Sequence, residues 1–190
     1  MVDVLEGPRT RIRALEARDE QPLLAAVAQS RDLHGPWFSG VSSPEAFGTL
    51  LGRVGPDFVA LVLEDRETGG LVGQFNFSQV FLKAFRSAYL GYAALAPFAG
   101  TGRMSEGLEL AVAWGFSRVG LHRIEANIQP ENVASVRLVQ RVGFVKEGYS
   151  EGYLFLDGAW RDHERWAIRT EIFKPRRTGV RWQAPPPYKM

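Results

Sequence analysis

The sequence has no cysteine among its 190 residues. It therefore cannot form a disulfide framework, a Cys-ligated zinc or iron–sulfur site, or a cysteine nucleophile. It also has no run that approaches the ~18 consecutive apolar residues of a membrane span, and its first residues lack the apolar core of a signal peptide. We expect a cytoplasmic protein with no membrane partner, and its length corresponds to about one domain.

The sequence has no strong excess of charge of either sign. Its 23 Lys and Arg against 21 Asp and Glu give a net charge of +2, whereas general nucleic-acid binders usually carry a much more basic surface. The charge is unevenly placed. Residues 174–190 hold five basic residues and no acid, which leaves 18 basic and 21 acidic residues, a net charge of −3, in residues 1–173. We predict a mildly acidic folded domain over 1–173 and a basic, Pro-rich tail over 174–190.

Hydrophobic periodicity predicts an α+β domain. The predicted strands cover residues 9–15, 58–63, 71–80, 87–95, 123–128, 144–156 and 160–172. The predicted helices cover residues 19–30, 44–54, 103–119 and 132–142, and residues 31–43 are expected to form a loop. Asp19 and Ser43 are candidate N-caps, and Gly143 ends the last helix. The resulting order, β α α β β β α β α β β, places one β-α-β crossover in an otherwise antiparallel sheet flanked by helices.

A glycine-rich stretch at residues 99–104 follows a predicted strand and opens a predicted helix. Glycines let the backbone approach a ligand closely, and the free N–H groups of a first helical turn attract an anion such as a phosphate. A Walker loop is excluded because no Gly-Lys-Ser/Thr run exists. A dinucleotide fingerprint would have Ser105 in place of its third glycine and Glu125 as its ribose acid, but the preceding antiparallel strands disfavour it. A coenzyme A pyrophosphate loop and a plain strand–helix turn both remain open.

Further segments follow this loop in an order and spacing that are specific as a set. They are Leu71–Ser78, Tyr89–Tyr92, Gly100–Met104, His122–Asn127, Asn132–Ser135, Gly143-Phe144, Glu147–Tyr149 and Asp157–His163. With these segments the chain resembles the GNAT N-acetyltransferase superfamily, and within it the branch that acetylates the N-terminal alanine or serine of ribosomal proteins. The resemblance runs from Leu71 to about Arg169, with a weaker match back to Arg9.

The chain departs from the superfamily's usual residues at three positions. Ala99 stands where Gln or Arg is usual beside the phosphates, and Val139 stands where many members have Tyr. Many members have a Glu in the fourth strand as general base, and the nearest equivalent here is Tyr89. The usual acid and base assignments therefore do not carry over directly.

The resemblance implies direct transfer of an acetyl group from acetyl-CoA to an amine, without a metal. The pyrophosphate would be held by the backbone N–H groups of Gly100, Thr101, Gly102, Arg103, Met104 and Ser105, with the Arg103 side chain adding charge. The pantetheine arm would lie in a gap between the fourth and fifth strands, with Leu95 on one side and Asn127 on the other. A backbone N–H near Leu95 would polarise the thioester carbonyl. Asn132 would orient a pantetheine amide, although Asn-x-x-Ser can equally be a local helix cap.

Proton transfer has two candidate residues. Ser135 is the candidate donor to the leaving thiolate, because Val139 removes the usual Tyr, and Tyr89 is the nearest counterpart of the usual base. His163 and His122 pair with no recognisable nucleophile, which favours surface or packing roles for both.

The predicted acceptor is the N-terminal α-amine of a protein, with a ribosomal protein as first candidate. Such an amine has a pKa of roughly 7.7–8.0, which leaves a neutral fraction near pH 7. Trp37, Phe38 and Asn76 are the candidate acceptor-binding residues. The alternative acceptors are a small amine, a polyamine, an amino acid or an antibiotic. A third hypothesis is a non-catalytic module that binds RNA or the ribosome through the basic tail, for which a solvated extension is the simpler interpretation.

Overall fold

A computed structural model describes residues 4–37 and 40–180, and within them eight strands form one open sheet. The strands are β1 (Val4–Glu6), β2 (Thr10–Ala14), β3 (Phe58–Asp65), β4 (Leu71–Phe81), β5 (Ser87–Ala94), β6 (Arg123–Ile128), β7 (Val145–Leu156) and β8 (Ala159–Arg169). Their order across the sheet is β1-β2-β3-β4-β5-β6-β8-β7. Only β5 and β6 run parallel, and the other neighbouring pairs are antiparallel. The predicted α+β class, with its mostly antiparallel mixed sheet, is confirmed.

The helices begin and end at residues that suit those positions. They are α1 (Glu20–Gln29), α2 (Arg31–His34), α3 (Pro44–Gly52), α4 (Arg103–Trp114) and α5 (Val133–Val142). Ser43 caps α3 by accepting a hydrogen bond from the Ala46 N–H, and Gly143 ends α5 with a φ of 100°. That left-handed conformation favours glycine. Helix α4 is the crossover between the two parallel strands, as predicted.

The sheet has a different cover on each face. Phe75, Phe77 and Ile124 belong to the larger core cluster, which they form with buried residues of α4 and α5. On the opposite face Val62 packs in a second cluster with Leu23 of α1 and with residues of α3. This second cluster lies over β2, β3 and β4, so the same face of β5, β6 and β8 is left for other roles. We call that part the open face.

Several details differ from the sequence-based expectation. The short strand β1 was not predicted, because three residues carry too little periodicity to register. Residues 31–37 form α2 and a 3₁₀ turn (Gly35–Trp37) rather than a loop, and the helix predicted over 103–119 becomes a π-helical turn at Gly115–Val119. Asp19 precedes α1, but its carboxylate does not cap that helix. It accepts hydrogen bonds from the Arg13 guanidinium instead.

Two buried carboxylates on α4 hold distant parts of the chain. Glu106 accepts hydrogen bonds from the backbone N–H groups of Arg9 and Thr10 at 2.9 and 2.8 Å. Glu109 accepts from the N–H groups of Arg176 and Arg177 at 3.0 and 2.8 Å, and from the Arg177 guanidinium at 2.7 Å. The first residues of the predicted tail therefore contact the folded body. Residues 181–190 lie outside the described part, so the boundary at 173/174 stays a prediction.

Among the described residues, no helix has both the length and the apolar character needed to cross a membrane.

Candidate active site

The two parallel strands separate partway along their length. β5 and β6 are paired only from Ser87 to Tyr89 and from Arg123 to Glu125. Yet β5 continues to Ala94 and β6 to Ile128, so a gap opens through the sheet beyond the paired residues. This is the position of the gap predicted between the fourth and fifth strands of the resemblance. Cavities on the two faces of the sheet meet there.

On the helical side, the gap opens into a cavity of about 410 Å³ that we call the loop cavity. It is lined by the glycine loop, the first turn of α4, one side of α5 and the end of β5, including Gly100, Gly102, Met104, Ser105, Asn132, Ser135, Arg137 and Arg141. Gly100 and Gly102 have φ values of 77° and 81°. Both positions require the left-handed conformation that glycine adopts without strain. The loop thereby delivers the N-terminus of α4 to the cavity wall.

The amides of this loop are not all free. The Thr101 N–H donates to the Phe98 carbonyl at 3.3 Å, and the Ser105 N–H donates to the Gly102 carbonyl at 3.2 Å. These two predicted donors are therefore engaged within the loop itself. The first amides of a helix have no partner inside the helix, so those of Gly102, Arg103 and Met104 are the better placed to receive an anion, with the α4 dipole behind them.

The Arg103 side chain has a different partner from the one predicted. Its Nε donates to Asp65 Oδ2 at 2.6 Å, and its guanidinium carbon lies 5.4 Å from the centroid of the Phe98 ring. Burial alone raises the pKa of the Asp65 carboxyl, but hydrogen bonds from Arg103 and Thr68 outweigh burial and hold the pKa below its usual range. The side chain of Arg103 thus stabilises the start of α4, and Arg103 is not among the residues that line the loop cavity.

Two arginines that the sequence reasoning missed supply positive charge there. Arg137 and Arg141 lie one turn apart on α5, are exposed, and line the loop cavity. Their spacing, together with Ala134 and Leu138, places all four on one side of the helix. The spacing of these four residues is visible in the sequence. Knowledge that α5 lies beside the glycine loop would have identified the two arginines as candidate phosphate ligands.

On the open face, the gap leads into a second cavity of about 260 Å³, the open-face cavity. Its lining includes Trp37, Gln74, Asn76, Gly91, Asn127, Leu154, Leu156 and His163. Among the described residues its wall contains no Asp, Glu, Lys or Arg. The buried side-chain carbonyl oxygens of Gln74 and Asn127 have no hydrogen-bond partner. Gln74 as a whole is only 2% exposed. Because buried polar atoms are normally paired, these oxygens are suited to an N–H donor from a bound molecule.

The two cavities share one wall. Trp37, Tyr92, Ala93, Asn132 and Ser135 line both of them. The Tyr92 hydroxyl and Ser135 Oγ lie 2.6 Å apart, with either able to donate. Burial raises the pKa of Tyr92 far above its usual range, against a small lowering by the Ser135 contact. This phenol therefore stays protonated, and the pair can deliver a proton at the junction.

Comparison with known proteins places these features in a family. The family model described as "Acetyltransferase (GNAT) domain" matches residues 9–145, well over half of the chain. The chain belongs to the GNAT acetyltransferase family. It is 34% identical over 183 residues to the [Ribosomal protein uS5]-alanine N-acetyltransferase of Escherichia coli (strain K12), which covers 91% of this chain and 94% of the relative.

Solved structures agree with that assignment. Mycobacterium smegmatis RimJ in complex with CoA-disulfide is 32% identical, with a TM-score of 0.76, and the match covers 90% of this chain and 87% of RimJ. Spermidine N-acetyltransferase from Vibrio cholerae, solved with CoA and spermine, has a TM-score of 0.73 over 86% of this chain and 97% of that one. At 23% identity the second likeness shows the fold alone. The protein is thus a GNAT N-acetyltransferase, an enzyme that transfers acetyl groups.

Two expectations for this acetyltransferase need correction. Leu95 is fully buried, and its N–H donates to the Val72 carbonyl at 2.8 Å, so that amide is not free to polarise a thioester. Along a strand, successive N–H groups point to opposite sides. The Ala94 N–H therefore points toward the gap, on the side where the Ala94 carbonyl accepts from His34 Nε2 at 2.7 Å. Of the amides near Leu95, the one that points toward the gap is therefore that of Ala94.

Tyr89 is the other correction. It lies in the paired part of β5, opposite Glu125, and is absent from the linings of both cavities. Its hydroxyl contacts Tyr153; burial, followed by this hydrogen bond, raises the pKa of Tyr153 to about 12. Tyr89 is therefore removed from the gap, and Tyr92, which was not predicted, occupies the junction. Tyr89 and Tyr92 are three positions apart on β5, so their rings point to opposite faces of the sheet.

The remaining candidates are brought together. Ser135, Asn132 and Asn127 lie at the gap, and Trp37 and Asn76 line the open-face cavity. Asn132 also caps α5, with its Oδ1 accepting from the Ser135 N–H at 3.1 Å, so the local-cap interpretation holds for that oxygen. Phe38 lies outside the described residues. His163, expected to have a packing role, lines the open-face cavity.

Proposed function

We propose that this enzyme transfers the acetyl group of acetyl-CoA directly to the N-terminal α-amine of a protein, with a ribosomal protein that begins with alanine or serine as the first candidate. The observation that carries the proposal is the meeting of two unlike cavities at one gap. One has helix amides and arginines suited to phosphates, and the other has no Asp, Glu, Lys or Arg in its described wall and holds two unpartnered carbonyl oxygens.

The loop cavity suits the coenzyme. The amides at the start of α4 would receive the pyrophosphate, and Arg137 and Arg141 would pair with phosphate oxygens. The pantetheine arm would run along β5 into the gap, where Asn127 and Asn132 offer side-chain amides. RimJ of Mycobacterium smegmatis, a close structural neighbour, was solved with a CoA disulfide, which supports the same ligand class here.

The reaction would proceed in a ternary complex. The amine nitrogen attacks the thioester carbon, and the Ala94 N–H stabilises the charge that develops on the carbonyl oxygen. The C–N bond forms, the C–S bond breaks, and the thiolate takes a proton from Ser135. Tyr92 then donates its proton to Ser135 across their 2.6 Å contact and regains one from solvent. The products are the acetylated amine and coenzyme A.

The open-face cavity favours a peptide terminus over a polyamine. A polyamine carries several ammonium groups, and sites for such cations need carboxylates, whereas the described wall of this cavity has none. A peptide terminus presents one amine followed by an amide N–H, which matches the unpartnered Gln74 and Asn127 oxygens. The E. coli relative is named for acetylating the alanine terminus of protein uS5, which agrees with this acceptor class.

A third cavity gives room for the rest of the peptide. This hairpin cavity, of about 400 Å³, lies beside the turn between β7 and β8 and shares Trp37, Gln129 and Leu156 with the open-face cavity. Its wall includes the carboxylates of Glu131, Asp157 and Asp162 and the guanidinium of Arg161. A chain that leaves the open-face cavity therefore enters a groove of net negative charge. This groove suits any basic acceptor, protein or polyamine, so the preference for a peptide terminus rests on the uncharged wall of the open-face cavity.

A role as an RNA-binding module is less well supported. The Arg177 guanidinium is paired with Glu109, and the Arg176 and Arg177 amides are bound to the same carboxylate. These groups are engaged within the protein, so the described part of the basic tail presents less free charge than the sequence indicated.

Mass spectrometry of acetylated products tests the proposal. Acetyl-CoA is offered with a peptide that begins with Ala and contains an internal Lys, with the same peptide carrying a blocked terminus, and with spermidine. We expect acetylation at the terminus of the first peptide only. Transfer to spermidine or to the blocked peptide, with none to the free terminus, would overturn the proposed acceptor.

A further inference from the structure

We propose that His163 is the general base that accepts the proton leaving the acceptor amine. This inference rests on the proposed function, because it assigns a residue to the proton that amine acetylation releases. His163 belongs to β8 and lines the open-face cavity with Gln74 and Asn127. His163 closes the Asp157–His163 segment of the resemblance, but neither that segment nor the family assignment gives it a role.

One hydrogen bond fixes which nitrogen can accept. His163 Nδ1 lies 3.0 Å from the Arg161 carbonyl oxygen. A carbonyl oxygen only accepts, so Nδ1 must carry the hydrogen, and the neutral imidazole then has a bare Nε2. Within the described residues Nε2 has no hydrogen-bond partner. The residue is only 3% exposed, so the ring is held in one orientation with its lone pair available to a molecule in the cavity.

The described wall of the open-face cavity has no other side chain that accepts a proton as readily as this imidazole. No carboxylate or lysine lines the open-face cavity in the described chain. Tyr92 and Ser135 are suited to donating protons, and the amides of Gln74 and Asn127 do not take up protons near pH 7. An imidazole does so readily, which is why histidine is the most frequent general base. The two amide oxygens would orient the amine's N–H bonds while Nε2 takes one proton.

Charged groups near the ring lie on β8 and on β6, where Glu125 acts on the adjacent Tyr153. Asp162 is its neighbour in β8; hydrogen bonds from Tyr149 and Gly152 lower the pKa of the Asp162 carboxyl, and the charge of His163 adds to that lowering. Tyr153 of β7 lies with its ring centroid 5.7 Å from the imidazole. Arg165, two residues along β8, points to the same face, and its buried Nε is unpartnered. Ser150, opposite His163 on β7, is neutral.

His163 accounts for the proton that the acceptor nitrogen loses. The amine nitrogen forms its bond to the acetyl carbon and passes one proton to Nε2, which becomes Nε2–H. The leaving sulfur receives its own proton from Ser135. After the acetylated product leaves, the imidazolium returns its proton to solvent, and the Nδ1–H tautomer is restored by the Arg161 carbonyl.

His163→Asn tests this role with little structural change. The asparagine Nδ2–H can replace Nδ1–H as donor to the Arg161 carbonyl, while the basic Nε2 is lost. We expect kcat/KM for an Ala-starting peptide to fall about 100-fold near pH 7. The deficit should shrink to about fivefold near pH 9, because hydroxide can accept the amine proton in place of the missing imidazole. His122→Asn is the control, since His122 is exposed and pairs with Glu171; it should behave like the wild type.

Equal losses at every pH, with altered melting or altered acetyl-CoA binding, would show a structural role and overturn the proposal. Activity within about threefold of the wild type near pH 7 would also overturn it, because a general base contributes far more. If the wild type acetylates another amine instead of the peptide, the proposed function fails and the same comparison is made with that amine.

A second readout needs no acceptor. Nitrogen-15 NMR of the histidine side chains, with His163→Asn used to assign the signals, reports which ring nitrogen carries the hydrogen. A protonated Nδ1 and bare Nε2 are expected. The opposite tautomer would overturn the proposal whatever the acceptor.

Discussion

Tyr92 and Ser135 meet beside the gap in the sheet, with their hydroxyl oxygens 2.6 Å apart. One belongs to β5, which borders the gap, and the other to the first turn of α5, which lies beside it. Both residues line the loop cavity and the open-face cavity. The site that we assign to acetyl transfer is built around this pair.

The first prediction concerns this pair. Tyr92→Phe and Ser135→Ala should each lower kcat by about 10²-fold, because each interrupts the delivery of a proton to the thiolate. The double variant should be little worse than the worse single variant, since residues that act as a unit are non-additive. Steady-state kinetics measure this, and KM for acetyl-CoA should change little. Multiplicative losses in the double variant would show two independent roles.

The second prediction concerns phosphate binding. Arg137→Gln and Arg141→Gln should each weaken coenzyme A binding by about tenfold, the effect of losing one charge-assisted contact, and the loss should diminish in high salt. Calorimetric titration with coenzyme A and with dephospho-coenzyme A tells which phosphate each arginine contacts. Arg169→Gln is the control, because Arg169 is exposed and lines neither cavity. Unchanged affinity in both test variants would contradict the assignment.

The third prediction concerns Arg103 and Asp65. The folded-state pKa of Asp65 is lowered, so its carboxylate stabilises the fold above the unfolded-state pKa of about 3.9. That stabilisation is lost as pH falls through the folded-state pKa. Arg103→Gln should therefore reduce the free energy of unfolding by about 2 kcal/mol at neutral pH, by leaving a buried charge without its partner. The difference from the wild type should vanish in strong acid.

Urea unfolding at several pH values measures the third prediction, with Asp65→Asn/Arg103→Gln as the matched control. Coenzyme A affinity should survive Arg103→Gln. A large loss of affinity without a loss of stability would instead return Arg103 to the phosphate cradle that the sequence predicted.

The fourth prediction concerns the C-terminal segment. Removal of residues 174–190 should lower the free energy of unfolding by about 3 kcal/mol, because Glu109 would remain buried without Arg177. Removal of residues 181–190 alone should leave stability nearly unchanged, since the Glu109 contacts are kept. Equal stability of the two truncated proteins would show that Glu109 does not need these partners.

Local patterns were sufficient for most of the fold. Ser43 and Gly143 sit at helix boundaries as predicted because capping depends on residues within one turn. Most strands were predicted correctly because the alternation of apolar and polar residues also depends only on residues that are close in sequence. The short β1 was missed because its three residues, Val4–Glu6, are recruited by pairing with β2, a tertiary effect that periodicity does not contain.

The site was only partly predictable for a related reason. The position of Ser135 and Asn132 at the gap was predictable because their motif is local. Arg103 was assigned to phosphate because its partner Asp65, on β3, is distant in sequence. Tyr89 was chosen over Tyr92 because the sequence does not say which face of β5 borders the gap. His163 was set aside because its cavity forms only when β8 lies beside β6.

The decisive measurement for the proposed site is a crystal structure with a bisubstrate ligand, in which coenzyme A is joined through an acetyl bridge to the terminal nitrogen of an Ala-starting peptide. We predict the pyrophosphate at the amides of Gly102 to Met104 and the bridge in the gap beside Ala94. The peptide nitrogen should lie within hydrogen-bond reach of His163 Nε2, and the peptide should continue toward the β7–β8 turn. A coenzyme bound outside the loop cavity, or a peptide that enters from another side of the sheet, would contradict the account.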